Sequence, residues 1–203
     1  MSTKDNVTPE APGATPSAEG LAASAKAAGK RGGLPPVHLW NPPYCGDLDI
    51  RIARDGTWFY LGTPIGRAPL VRLFSTILKL EEGRYYLVTP VEKVGITVDD
   101  APFVAVDFTV RGAGAEQELT FETNVGDFVT ADAEHPIRVL RDPASGEPSP
   151  YVMVRAGLEA LIDRKSFYRL VERGEHGAHA GGRWFGIWSG GVFWPIIPSA
   201  ELE

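Results

Sequence analysis

Hydrophobic and polar positions recur in short runs from Leu34 onward, and the period of each run predicts its element. Thr57–Leu61, TWFYL, is β-branched and aromatic and reads as a strand. Asp55-Gly56 just before it is a hairpin-turn signal, so Asp49–Ala53 is predicted as its partner. Leu70, Leu73, Phe74, Ile77 and Leu78 follow the 3.6-residue spacing of one buried face, which predicts a helix from Arg67 to Leu80. Pro69 is tolerated in its first turn, and Gly83 stops it. Arg84–Thr89 and Val91–Val98, parted by Pro90, read as a second pair of strands.

The pattern then continues into a larger second half. Strands are predicted at Phe103–Val110, Glu118–Thr123, Pro136–Arg141, Tyr151–Arg155 and Leu158–Ile162. Residues 124–133 read as a loop or one helical turn, and 144–150 as a plain loop. A second helix runs from Asp163, a predicted N-cap, to Gly174. The run GEHGAHAGG reads as a mobile loop. Trp184–Trp188 and Val192–Ile197 form a last hairpin around Ser189-Gly190-Gly191.

One local echo organises these elements. Residues 55–74 and 158–171 both run strand, turn, arginine, helix. Aligning Arg67 with Arg164 also superposes Arg72 on Arg169 and Leu73 on Leu170. The predicted fold class is therefore α+β, with two tandem hairpin–helix–hairpin units, mostly antiparallel sheets, and the C-terminal unit the larger. The predicted boundaries are a disordered tail at 1–33, an N-terminal unit at 34–98 and a C-terminal unit at 99–203. The tail is rich in Ala, Gly, Pro, Ser and Thr, with Val7 and Leu21 its only large apolar residues. Such a segment offsets little of its chain entropy. Its alanine-rich stretch at 21–28 is helix-prone but shows no apolar face to dock.

Charge narrows the functional classes. Of 20 basic and 26 acidic residues, four and three lie in 1–33, leaving 16 and 23, a net of −7. A body that acidic makes a poor general nucleic-acid binder, because phosphate neutralisation needs a basic face. The single cysteine, Cys45, excludes a disulfide framework or a multi-thiolate metal site, and reads as a small buried hydrophobe. The start has no basic patch followed by an apolar run. No stretch approaches the ~18 apolar residues of a membrane helix. The expectation is a cytoplasmic protein without membrane insertion.

Candidate chemistry is sparse. GTPIGRAP carries Gly62 and Gly66 but no following Gly-Lys-Ser/Thr, and no GxGxxG occurs. There is no G-x-S-x-G elbow and no Cys-His pairing. His176 and His179 are close together, but no third ligand stands at a metal-site spacing, so they read as loop histidines. No catalytic residue and no metal ligand is assigned. Arg67 and Arg164 each open a helix, where free N–H groups favour anions. They are the leading candidates for an anion-binding cleft between the units, with Arg155 as a further donor. The alternative reading is structural, each arginine held by a carboxylate such as Asp163 or Glu92. Lys93, beside Glu92, is a candidate or an ordinary surface charge. Asn124 and Asp127, in TNVGD, serve as Asx-turn caps or as ligand contacts. The aromatics Trp184, Phe185, Trp188, Phe193 and Trp194 are core packing or the wall of a recognition surface.

Longer strings carry a family resemblance. WNPPYCGDLDIRIARDGTWFYLGTPIGR, LVRLFSTILK, YYLVTPVEKVGITVDDAPFVAVDF, TFETNVGDFVTADAEHPIRV and PYVMVRAGLEALIDRKSFYRLV closely resemble the bacterial domain-of-unknown-function family 1285, over nearly all of Trp40–Trp194. The resemblance implies a duplicated core, a C-terminal domain superficially like a pleckstrin-homology fold, and a site at the domain interface for a nucleotide-like molecule in a signalling role. No residue role transfers with it, and the cofactor is left unknown. Three readings follow: a small-molecule-binding signalling protein, a module that binds an unknown protein partner through its aromatic C-terminal hairpin, and an enzyme on anionic substrates.

Overall fold

The computed structural model describes residues 16–29 and 33–202. A helix comes first, α1 (Ala18–Ala28), capped by Ser17, whose hydroxyl accepts from the Gly20 N–H at 3.1 Å. It corrects the expectation of a disordered tail for these residues; 1–15 and 30–32 lie outside the described residues. The docking face is real but small-grained. Ala18, Leu21, Ala22 and Ala25 fall at i, i+3, i+4 and i+7 and are buried, with Leu21 only 1% exposed. Alanines bury little area each, but they let one helix lie close against another.

The first sheet contains β1 (Tyr44–Ile52), β2 (Trp58–Tyr60) and β3 (Thr63–Pro64), then α2 (Ala68–Thr76), then β4 (Leu78–Glu81), β5 (Arg84–Val88) and β6 (Lys93–Val98). Helix α1 packs on α2. Strand order is β3-β2-β1-β6-β5-β4. Two antiparallel three-stranded meanders are thus joined at the centre by one parallel pair, β1 with β6. Helix α2 is shorter than its apolar pattern predicts. It stops at Thr76, and Leu78 and Leu80 continue in β4, pairing with Leu87 and Tyr85. Leu78 and Leu87 are both buried, so strand pairing on a buried face competes successfully with continued helix. The core residue of α2 is Phe74, which stacks on Trp58 with ring centroids 6.3 Å apart, while Leu73 is only half-buried.

The second sheet contains β7 (Phe103–Arg111), β8 (Glu118–Thr123), β9 (Phe128–Thr130), β10 (Ile137–Arg141), β11 (Pro148–Arg155) and β12 (Leu158–Ile162). Its order is β10-β11-β12-β7-β8-β9, again two meanders joined by a central parallel pair, β7 with β12. Each strand of the first sheet therefore has a counterpart six strands later. The details agree as well. The Asp99 N–H donates to the Ile52 carbonyl at the exit of the first sheet, and the Asp163 N–H donates to the Ala105 carbonyl at the exit of the second, both at 3.0 Å.

The helices do not follow this duplication. Helix α2 connects the two meanders of unit one. The equivalent connection in unit two is a short turn in which Asp132 and His135 exchange backbone hydrogen bonds. Helix α3 (Arg164–Val171) instead follows the sixth strand, capped by the Asp163 carboxylate on the Ser166 N–H at 2.7 Å. Arg67 and Arg164 thus occupy different places in the two units. Their shared local pattern reflects how any strand hands over to a helix, whereas the duplication lies in the sheets.

A third sheet, β13 (Glu175–His179), β14 (Gly182–Ser189) and β15 (Val192–Pro198), completes the larger second unit. The predicted mobile loop is therefore mostly strand: Glu175–His179 pairs with Gly182–Gly186. The buried Ser189 hydroxyl donates to the Ala131 carbonyl at 2.6 Å and accepts from the Leu119 N–H at 2.9 Å, tying this sheet to the second. Phe193 and Trp194 are buried, and Trp188 donates to Glu175. The aromatic hairpin packs largely within its own unit.

Candidate functional site

The seam between the units is built from three of the residues singled out in the sequence. The Asn124 carboxamide oxygen accepts from the Val104 N–H at 3.0 Å, while its amide nitrogen donates to the Gly56 carbonyl at 3.3 Å. Gly56 has φ +83, and a Cβ there would stand 2.5 Å from that same amide. The β1–β2 turn can therefore approach unit two this closely only as glycine. Arg155, at the end of β11, donates one N–H to Asp127 and another to the Ser75 carbonyl of α2 at 2.9 Å, with its guanidinium 4.8 Å over the Phe103 ring. Asp127 does not cap its own turn with its side chain. The Thr123 hydroxyl accepts from the Asp127 N–H at 3.0 Å, leaving the carboxylate for Arg155.

Beside the seam opens a cleft of about 840 Å³, walled by β2 and α2 from unit one and by β8 and the turn after it from unit two. Its cationic side chain is Arg72, on the flank of α2 turned away from Phe74 and Ile77. Arg72 forms no ion pair among the described residues; its one polar contact is a long one, 3.4 Å to the Gly126 carbonyl. Trp58 also contributes to the wall, and its indole N–H is buried without an acceptor among the described residues. Buried donors of this kind are uncommon in native structures. Thr57, Asn124 and Glu122 add polar groups, and Pro69, Val71 and Val125 add apolar surface.

The other predicted residues lie outside this cleft. Arg67 is exposed at the start of α2 and lines a different cavity, of about 490 Å³, beneath α1. Arg164 lines a third, of about 320 Å³, with Arg54, and its Nε–H donates to the Tyr168 hydroxyl at 2.9 Å. The cavities of Arg67 and Arg164 share no lining residue, so the expected convergence of these two arginines does not occur. Their topological inequivalence is the reason. Lys93 donates to Glu81 at 2.8 Å, and Glu81 also accepts from Lys79. The hydrogen bond to Glu81 holds the Lys93 ammonium above its ordinary pKa. Cys45 is exposed rather than buried.

Arg72 and Trp58 are the cleft residues that sequence reasoning passed over. Arg72 was visible as part of the echo with Arg169. A guanidinium on the non-core flank of an amphipathic helix was the available signal, but nothing in the pattern says that a second unit faces that flank.

Residues 35–101 match the model of a family described as "Domain of unknown function (DUF1285), N-terminal domain", and residues 102–196 match "Protein of unknown function (DUF1285), C-terminal domain". The chain belongs to the DUF1285 family. This DUF1285 chain is 65% identical to a family member from Silicibacter pomeroyi DSS-3 whose crystal structure covers 90% of this chain and 97% of that one, with a TM-score of 0.81. A second solved member, from Shewanella baltica OS155, is 30% identical over 62% of this chain and 92% of its own, with a TM-score of 0.49. No curated protein matches the chain. Among the described residues of this DUF1285 protein, no helix is long and apolar enough to cross a membrane.

Proposed function

We propose that this DUF1285 protein binds a small anionic, nucleotide-like molecule in the cleft between its units, as the sensing component of a signalling pathway. The observation that carries the reading is the state of Arg72. Eight of the thirteen described arginines are ion-paired with carboxylates; of the other five, Arg72 is the one that lines the inter-unit cleft, with only a long contact to one carbonyl. A guanidinium suits a phosphate or carboxylate because it offers two parallel N–H donors. Pro69, Val71 and Val125 supply apolar surface for a planar ring, and Thr57 and Asn124 supply polar groups to orient it. The negative body repels bulk polyanions, so a local cation selects for small ones.

Isothermal titration of the full chain with AMP, ADP and inorganic phosphate tests this. The expected result is saturable binding of at least one probe, weakened about tenfold or more in Arg72→Gln, since charge-assisted hydrogen bonds are worth about 1.5–3 kcal/mol. Absence of binding by all three probes, or an unchanged affinity in the variant, defeats the reading. Turnover of a bound probe would replace it with an enzyme acting on anionic substrates.

A further inference from the structure

The cavity beneath α1 has a different chemistry from the inter-unit cleft. It lies as an open-mouthed groove between α1 on one side and β2, β3 and the start of α2 on the other, and holds about 490 Å³. That is within the range of small-molecule pockets. Its floor is apolar, formed by Ala22, Pro64, Ile65 and Leu70, and two cations line it, Lys26 from α1 and Arg67 from the α2 start. No ion pair of Lys26 or Arg67 occurs among the described residues, and the Arg67 side chain makes no capping hydrogen bond. Glu19 also lines the cavity, seven residues before Lys26 and so about 10 Å away along α1. The wall therefore carries two positive charges and one negative. One monoanion balances it, whereas a dianion would meet Glu19.

We infer that this cavity binds a single-headed amphiphilic anion, an aliphatic monocarboxylate of medium chain length, its carboxylate held by Arg67 and Lys26 and its chain lying along Ile65, Leu70 and Ala22. The apolar floor rules out an inorganic anion as the fitting occupant, since it would leave the floor wet. The two cations favour an anionic head over a neutral one, and the charged rim suits a head that stays partly hydrated. The ligand touches both α1 and α2. An isolated helix of eleven residues is marginal in water, so an occupant bridging the two helices also fastens α1 to the body. The site shares only Ile65 and Gly66 with the inter-unit cleft, and its cation is Arg67, not Arg72. The two readings therefore stand or fall separately.

The test uses the full chain and decanoate below its micelle concentration, followed by calorimetry and by hydrogen exchange of the α1 amides. The expected result is saturable one-to-one binding that slows exchange at Leu21 and Ala22. Arg67→Gln should weaken it about tenfold, while Arg72→Gln should leave it unchanged. Octanoate, two methylenes shorter, should bind about tenfold more weakly, since each buried methylene is worth about 0.8 kcal/mol. Ala23→Trp, at an exposed α1 position that lines the cavity, should fill its mouth and abolish binding with an unchanged circular dichroism spectrum. Overturning results are non-saturable uptake, equal affinity for decanol, or decanoate binding that neither Arg67→Gln nor Ala23→Trp alters.

Discussion

Replacing Arg155 with Met should loosen the seam between the units. The Arg155 side chain is 20% exposed and its partner Asp127 26% exposed, so both charges are substantially withdrawn from water. Met keeps a side chain of similar length but removes the guanidinium over Phe103 and two hydrogen bonds, one to the Asp127 carboxylate and one to the Ser75 carbonyl of the opposite unit. Hydrogen bonds to charged groups contribute about 1.5–3 kcal/mol each, and residual solvent access reduces this. The stranded Asp127 carboxylate and Ser75 carbonyl add a desolvation cost. We expect a loss of about 2–4 kcal/mol in urea unfolding, on the order of 10 °C in Tm for a protein of this size. A double-mutant cycle with Asp127→Asn isolates the pair, and the expected coupling is about 1–2 kcal/mol. Arg155→Lys should recover only part of the loss, because one ammonium lacks the fork that serves both acceptors. A loss under about 0.5 kcal/mol with no coupling to Asp127 would refute the reasoning and show that the seam does not depend on Arg155.

Two further outcomes follow from other elements. Leu21→Ala should cost about 2–3 kcal/mol and raise exchange throughout α1, measured by thermal unfolding and hydrogen exchange, because Leu21 is the one large buried side chain of that helix. Glu81 accepts from Lys79 and Lys93, and these hydrogen bonds hold its carboxyl below the ordinary value of 4.5. Its contribution is thus present above that value and lost as pH falls through the lower folded-state value, so Glu81→Gln should flatten the acid limb of a stability-versus-pH curve.

Legibility of the fold varied with how much of an element's stabilisation is local. Strands β8 and β12 begin and end where the alternation places them, and α3 starts on Asp163 as the cap predicts. The helix-prone stretch at 21–28 was legible, but the docking of α1 was not, because its buried face is mostly alanine, which a large-residue count does not register. Strand β4 was missed because Leu78 and Leu80 suit either a helix face or a strand, and only Leu87 and Tyr85 opposite decide it. Strands β9 and β13 are short or glycine-bearing and owe their form to their partners. The site divides along the same line. Asn124, Asp127 and Arg155 were visible as unusual residues, but their partners Gly56, Val104 and Ser75 are distant in sequence. Arg67 and Arg164 were paired by local resemblance, and the topology separates them.

The central parallel pairing in each sheet has a consequence for how such a chain can grow. In both units the first and last strands are parallel hydrogen-bonded neighbours, so the backbone enters each sheet at one end of its central pair and leaves at the other end. A unit of this kind begins and ends on its central strands, and another can follow without displacing an edge strand of the one before. The two remaining edges of each sheet stay available for decoration. The same central pairing sets an order on folding. The pairing that completes each sheet joins residues roughly half a unit or more apart in sequence, so it gains its contacts only after the meanders on either side have formed.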